Sequence, residues 1–219
     1  DHRVHQRALG VVEMDDLRQV RRPDGRAEPD AAGVGGLEPH HHVDERRLAG
    51  AVFAEKGDPL ARLDALGVAY ELTEHPAVFT IEDMEQLGLT GSGTVCKNLF
   101  LRDAKGRRHF LVVIPGNCRA DLKSIETQLG STRLSFASAE RLQRYLGLIG
   151  GEVTPLGIIN DPDAAVEVVF DRSLEGNPRV GVHPNDNTAT VWLAFDDLLR
   201  IVMDNGNTVH FITLETALT

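Results

Sequence analysis

With 219 residues and a formal net charge of −10, the chain is long enough for one generous domain, or a domain with an appendage, and too acidic to coat long stretches of nucleic-acid backbone. Its only cysteines, Cys96 and Cys118, form no Cys-x-x-Cys unit, which excludes a disulfide framework or zinc ribbon and leaves them as small buried thiols. No run approaches eighteen apolar residues, the N-terminus carries no charged-then-apolar leader, and no phosphate-binding loop or dinucleotide fingerprint occurs, so a cytoplasmic protein without metal or cofactor is expected.

Composition divides the chain. Residues 1–50 contain no Phe, Tyr, Trp, Ile, Lys, Ser, Thr, Asn or Cys, whereas all eight Phe lie beyond them. A segment so poor in core-forming side chains reads as a poorly ordered or atypical extension, native or the product of a start codon placed too far upstream, with residues 51–219 as the folded domain. Within it, Leu9 to Val20 makes at best a marginal amphipathic helix. His40-His41-His42 cannot all face one metal from a regular helix or strand and reads as a solvated loop.

In the folded part, Asp58 to Leu66 is a predicted helix, with Asp58 as N-cap, Pro59 at the first helical position and Gly67 closing it. Val68 to Leu72 reads as a strand. Thr80 to Leu87 reads as a second helix, opened by Thr80 with Asp83 three residues on and ended by Gly88. Val95 to Leu101 and His109 to Ile114 form a predicted hairpin around the turn Asp103-Ala104-Lys105-Gly106. Helices at Ala120 to Leu129 and Ala139 to Leu146 bracket a short strand at Leu134 to Phe136. Val166 to Phe170 is apolar on both faces and so a central strand, and strand Thr190 to Leu193, helix Phe195 to Met203 and strand Val209 to Leu214 complete the chain. Strands and helices interleave without a regular βαβ rhythm, so the expected fold is α/β with a mixed, curled sheet flanked by helices.

Three features carry chemistry. Lys97 and Asn98 sit in the apolar strand Val95 to Leu101, where an ammonium either snorkels to the sheet edge, pairs with a glutamate or meets an anionic ligand. Gly151-Glu152-Val153-Thr154-Pro155-Leu156-Gly157 is a turn able to aim backbone N–H groups at an anion. Val182-His183-Pro184-Asn185-Asp186-Asn187-Thr188-Ala189-Thr190 is a polar loop between apolar runs. From Lys97 to Lys123, seven basic residues face two acidic ones, a local balance of +5 that is either a patch for nucleic acid or a solvated hairpin tip.

Together with His75-Pro76-Ala77-Val78-Phe79-Thr80, these elements resemble, in order and over roughly residues 58–214, the YbaK/prolyl-tRNA synthetase-associated editing family. Within it they most resemble the free-standing members that deacylate mischarged alanyl-tRNA(Pro). The string His183 to Thr190 is the most specific element of the likeness, and residues 1–50 have no counterpart in it.

The resemblance implies a barrel-like mixed sheet and an ester hydrolase acting on aminoacyl-tRNA, with the tRNA(Pro) acceptor end as substrate and prolyl-tRNA synthetase as a partner. It implies that Lys97 contacts the terminal phosphate or aminoacyl end, that Asn98 supports the pocket, that amides of the turn opened by Gly151 face the ester, and that His183 orients the terminal ribose. His183 as general base is the sharper alternative, with Asp186 its only evident carboxylate partner. Phe79, Val95 and Ile114 are the expected pocket walls, Thr154, Pro155, Asp186 and Asn187 further substrate contacts, and Arg102, Lys105, Arg107 and Arg108 the tRNA contacts. His75 is a structural turn residue or lines the pocket mouth. A cysteinyl-tRNA(Pro) deacylase of the same family and a non-catalytic aminoacyl-tRNA or synthetase-binding module are the alternatives.

Overall fold

The computed structural model describes residues 57–78 and 80–215, with the side chains of residues 81 and 82 excepted. The extension at residues 1–50, its Leu9–Val20 segment and its histidine run lie outside the described residues, as does Phe79.

Helix α1 (Pro59–Ala65) starts where the Asp58 carboxylate accepts from the N–H groups of Leu60 and Ala61. It ends in a Schellman motif, the N–H of Val68 reaching the Leu63 carbonyl and that of Gly67 reaching Asp64, with Gly67 at φ 62°. Strand β1 (Tyr70–Glu74) therefore begins two residues later than the apolar run suggests, because Val68 belongs to the helix stop. Helix α2 (Ile81–Gln86) carries the predicted capping box between Thr80 and Asp83.

Strands β2 (Thr94–Arg102) and β3 (His109–Pro115) form the predicted antiparallel hairpin. After α3 (Leu122–Gln128), strand β4 (Ser135–Phe136) and α4 (Ala139–Leu146) come β5 (Val166–Asp171), β6 (Val180–Val182), β7 (Ala189–Leu193), α5 (Phe195–Asp204) and β8 (Val209–Ile212). The result is one eight-stranded mixed sheet ordered β1-β7-β6-β2-β3-β5-β8, with β4 beside β2. Strand β5 is interior, next to the edge strand β8 and parallel to both β3 and β8.

Two-residue periodicity sorts the core onto the two faces of this sheet. Leu111 and Val113 of β3 join Val168 and Phe170 of β5 in one cluster, while Phe110, Val112 and Ile114 join Val169, Ile125 and Leu134 in another. All seven residues of β3 are buried, as expected of a strand covered by helices on both sides.

Strand β2 shapes the site. On its edge away from β3 it pairs with β6 only at Thr94 and Val95, and with β4 only at Leu101 and Arg102. Between those ladders, among the described residues, no strand pairs with Cys96–Leu99 on that edge, and the loop after α4 fills the gap. The ladder is interrupted where Lys97 and Asn98 lie.

Candidate active site

A cavity of about 570 Å³ opens beside this gap, lined by Val95, Cys96, Lys97 and Asn98 of β2 and by Gly116 and Asn117 after β3. Gly151, Val153 and His183 complete the lining with Val78, Thr80, Met84 and Glu85. Three loops far apart in sequence therefore converge on the interruption in β2.

The contacts explain why they converge. Asn98 donates from Nδ2 to the Val153 carbonyl at 2.9 Å, tying the Gly151 turn to β2, while its buried Oδ1 has no partner among the described residues. Gly151 takes φ 93°, which a side chain would strain. Thr154, wholly buried, caps the 3₁₀ turn Pro155–Asn160 by accepting from the Leu156 N–H, and its hydroxyl donates to the His183 carbonyl at 2.6 Å. One hydroxyl thus joins the two loops. The His183 loop is held in turn by Asp186, whose carboxylate accepts from the Thr188 N–H at 2.7 Å and its hydroxyl at 2.6 Å, and by Asn185 at a left-handed φ of 63°. The segment after β1 closes onto it: the N–H of His75 reaches the Thr188 carbonyl and that of Val78 the Asn187 carbonyl. The motifs opened by His75 and by His183 are two sides of one structure.

Among the described residues Lys97 has no carboxylate partner; Nζ donates to the Cys118 carbonyl at 3.2 Å. His183 donates from Nδ1 to the Ala189 carbonyl at 3.2 Å, which leaves Nε2 as an acceptor. Burial holds the His183 pKa below its ordinary 6.5, the Ala189 carbonyl opposing and His75 assisting, so the ring is neutral at pH 7. Burial pushes the Cys96 thiol up to about 12, which leaves no thiolate to act as nucleophile in the cavity. Beside Gly151, Glu152 has its pKa raised by burial and then by Asp186. Among the described residues no group of three or more His, Cys, Asp or Glu side chains is placed to hold a metal ion, and no helix is long and apolar enough to cross a membrane.

Lys97, Asn98, Gly151 and His183 thus share one cavity with Val95, as the sequence pattern suggests. Other expected contacts lie elsewhere. Ile114 pairs with Lys97 across the hairpin but is wholly buried in the core cluster under α3, so it is no cavity wall; Val78 and Met84 take that role with Val95. Pro155 is buried behind the turn, and Thr154, Asp186 and Asn187 shape the loops without lining the cavity. His75 is a structural residue, donating from Nδ1 to the Pro76 carbonyl and accepting at Nε2 from the Thr190 hydroxyl, each at 2.9 Å. The α2 residues Met84 and Glu85 were missed as site residues, although the capping box and the apolar spacing of the helix were visible signals.

The basic turn also differs from expectation. It caps the end of β2 remote from the cavity, five residues and about 16 Å along the strand from Lys97. Arg102 bonds the carbonyls of Asp103 and Ala104, and Arg108 is occupied by a two-pronged pair with Glu167 at 2.7 Å and 2.7 Å. Lys105 and Arg107 remain exposed there. Exposed Arg119 lies two residues beyond the cavity-lining Asn117 and is the nearer cation in sequence.

The family model for the aminoacyl-tRNA editing domain matches residues 75–201. The chain is 53% identical over 155 residues to the prolyl-tRNA editing protein ProX of Acetoanaerobium sticklandii, covering 71% of this chain and 94% of that one. It is 34% identical over 185 residues to the prolyl-tRNA synthetase associated domain-containing protein 1 of Danio rerio, covering 79% of this chain and 100% of that one. A solved structure of a candidate trans-editing enzyme for prolyl tRNA synthetase shares the fold with a TM-score of 0.53 and 24% identity, over 82% of this chain and 99% of the other.

Proposed function

The chain belongs to the aminoacyl-tRNA editing domain family, and on that premise we propose that it is a trans-editing hydrolase that removes alanine wrongly esterified to tRNA(Pro). The observation that carries this reading is the gap in the β2 ladder, where Lys97, Asn98, the Gly151 turn and a neutral His183 meet in one cavity.

An aminoacyl ester is intrinsically labile, so the protein has only to hold the terminal nucleotide, position water and stabilise the oxyanion. Lys97, unpaired with any carboxylate among the described residues, binds the phosphate of the terminal adenosine. Backbone N–H groups of the Gly151 turn face the ester carbonyl, where negative charge develops as water adds; collapse of that intermediate releases alanine and the free ribose hydroxyl. His183, with Nε2 open as an acceptor, orients the terminal ribose through a hydroxyl hydrogen bond. The high pKa of Cys96 argues against thiol catalysis.

Val78, Met84 and Val95 give the cavity an apolar wall that suits a methyl side chain. A synthetase pocket shaped for proline rejects the smaller alanine only through lost contact, about 10–200-fold per methylene-scale difference, and a second, smaller site supplies the rest. The partners are the acceptor end of tRNA(Pro) and prolyl-tRNA synthetase, and the compartment is the cytoplasm, where that tRNA is charged.

The test is a deacylation time course on tRNA(Pro) bearing alanine, serine or cysteine. Faster cleavage of alanine supports the proposal. Faster cleavage of cysteine moves the protein to the cysteine-clearing branch, and binding without cleavage of any ester makes it a non-catalytic module.

A further inference from the structure

Two opposite charges line the cavity without neutralising each other. Among the described residues, Lys97 on β2 donates to the Cys118 carbonyl and forms no ion pair, and Glu85 on α2, a solvent-exposed carboxylate of the same lining, forms none either. Burial keeps His183 neutral at pH 7 and Cys96 in its thiol form, so Lys97 and Glu85 are the fixed charges of the lining. A site built this way suits a ligand that is anionic at one end and cationic at the other.

The terminal aminoacyl-adenosine is such a ligand. Its phosphodiester is anionic, and its α-amino group, whose ordinary pKa is about 7.7–8.0, is largely protonated at pH 7. The scissile ester lies between them. With the phosphate on Lys97, Glu85 is the one carboxylate of the described lining left for the α-ammonium.

We infer that Glu85 is the receptor for the substrate's α-ammonium group, and hence that the site selects esters carrying a free, protonated amine over esters in which it is blocked or replaced. This rests on the deacylase reading and extends it. Peptidyl and other N-acylated esters, which lack that charge, are spared. Carboxylate and ammonium gain most when the site closes on the nucleotide and excludes water.

The experiment compares kcat/KM of the parent and Glu85→Gln on alanyl-tRNA(Pro) and on lactyl-tRNA(Pro), in which a hydroxyl replaces the amine at nearly the same volume. The parent is expected to favour the alanyl ester, and Glu85→Gln to lose about fivefold or more on it while leaving the lactyl ester unchanged, the scale of a charge pair at a partly exposed site. Because each ester is its own reference, differences in intrinsic lability cancel. Equal activity of both proteins on the alanyl ester overturns the assignment, as does an equal loss on both esters, which marks a structural role. A parent that cleaves neither ester overturns the deacylase reading itself and the assignment with it.

Discussion

Replacing Thr154 by Val keeps the shape of a wholly buried side chain and removes one hydroxyl. That hydroxyl donates to the His183 carbonyl at 2.6 Å and accepts from the Leu156 N–H at 3.4 Å. The part-buried carbonyl is left without its donor, a loss of about 1–3 kcal/mol. For a domain of this size each kcal/mol lowers Tm by roughly 2–4 °C, so a fall of about 2–12 °C is expected. The same bond joins the Gly151 turn to the His183 loop, so kcat for alanyl-tRNA(Pro) should fall more than KM rises. Thr154→Ser, which keeps the hydroxyl, should restore most of kcat. Parental Tm and kcat in Thr154→Val would refute the reasoning; a lower Tm with unchanged kcat would confine Thr154 to stability.

Lys97→Ala should lower deacylation by one to several orders of magnitude with the fold preserved, read by single-turnover kinetics and circular dichroism, because among the described residues Lys97 has no carboxylate to leave behind. Arg108→Ala should cost about 1 kcal/mol of stability through its part-exposed pair with Glu167, whereas Arg107→Ala should leave Tm unchanged and lower the salt dependence of tRNA binding modestly. The acid limb of a kcat/KM profile should lie below pH 6.5, because His183 titrates below that value when folded. Burial favours its neutral form, so the associated stability is full above pH 6.5 and is lost as pH falls through the window below it. An acid limb above pH 6.5, absent from a His183→Asn variant, would contradict this.

Elements with local punctuation were legible in the sequence. Helix α4 occupies the predicted Ala139–Leu146, and the caps at Asp58 and Thr80 hold as read, since Asp or Thr followed by backbone N–H groups is a short-range signal. Strand β6 was not, because its three residues Val180–Val182 depend on a distant partner: a Cβ on Gly181 would lie 2.6 Å from the Trp192 ring. In the site, Lys97, Asn98, Gly151 and His183 were recognisable as motif residues. Ile114 was misread because alternation along β3 places it on the same face as Lys97, and only the packing of α3 decides that it is covered. The tie of Arg108 to Glu167 was equally hidden, since the two are 59 residues apart and meet only through the β3–β5 ladder.

The measurement that bears most directly on the account is single-turnover cleavage of alanyl-tRNA(Pro) against prolyl-tRNA(Pro) by the intact protein. With Val78, Met84 and Val95 closing one wall, the pyrrolidine ring must overpack the cavity at about 1–3 kcal/mol, a preference for the alanyl ester of roughly fivefold to 150-fold. Selective loss of alanine with proline retained is the predicted result. Prolyl ester cleaved as fast as alanyl ester would contradict it, because a site that clears the correct product cannot be sieving by size.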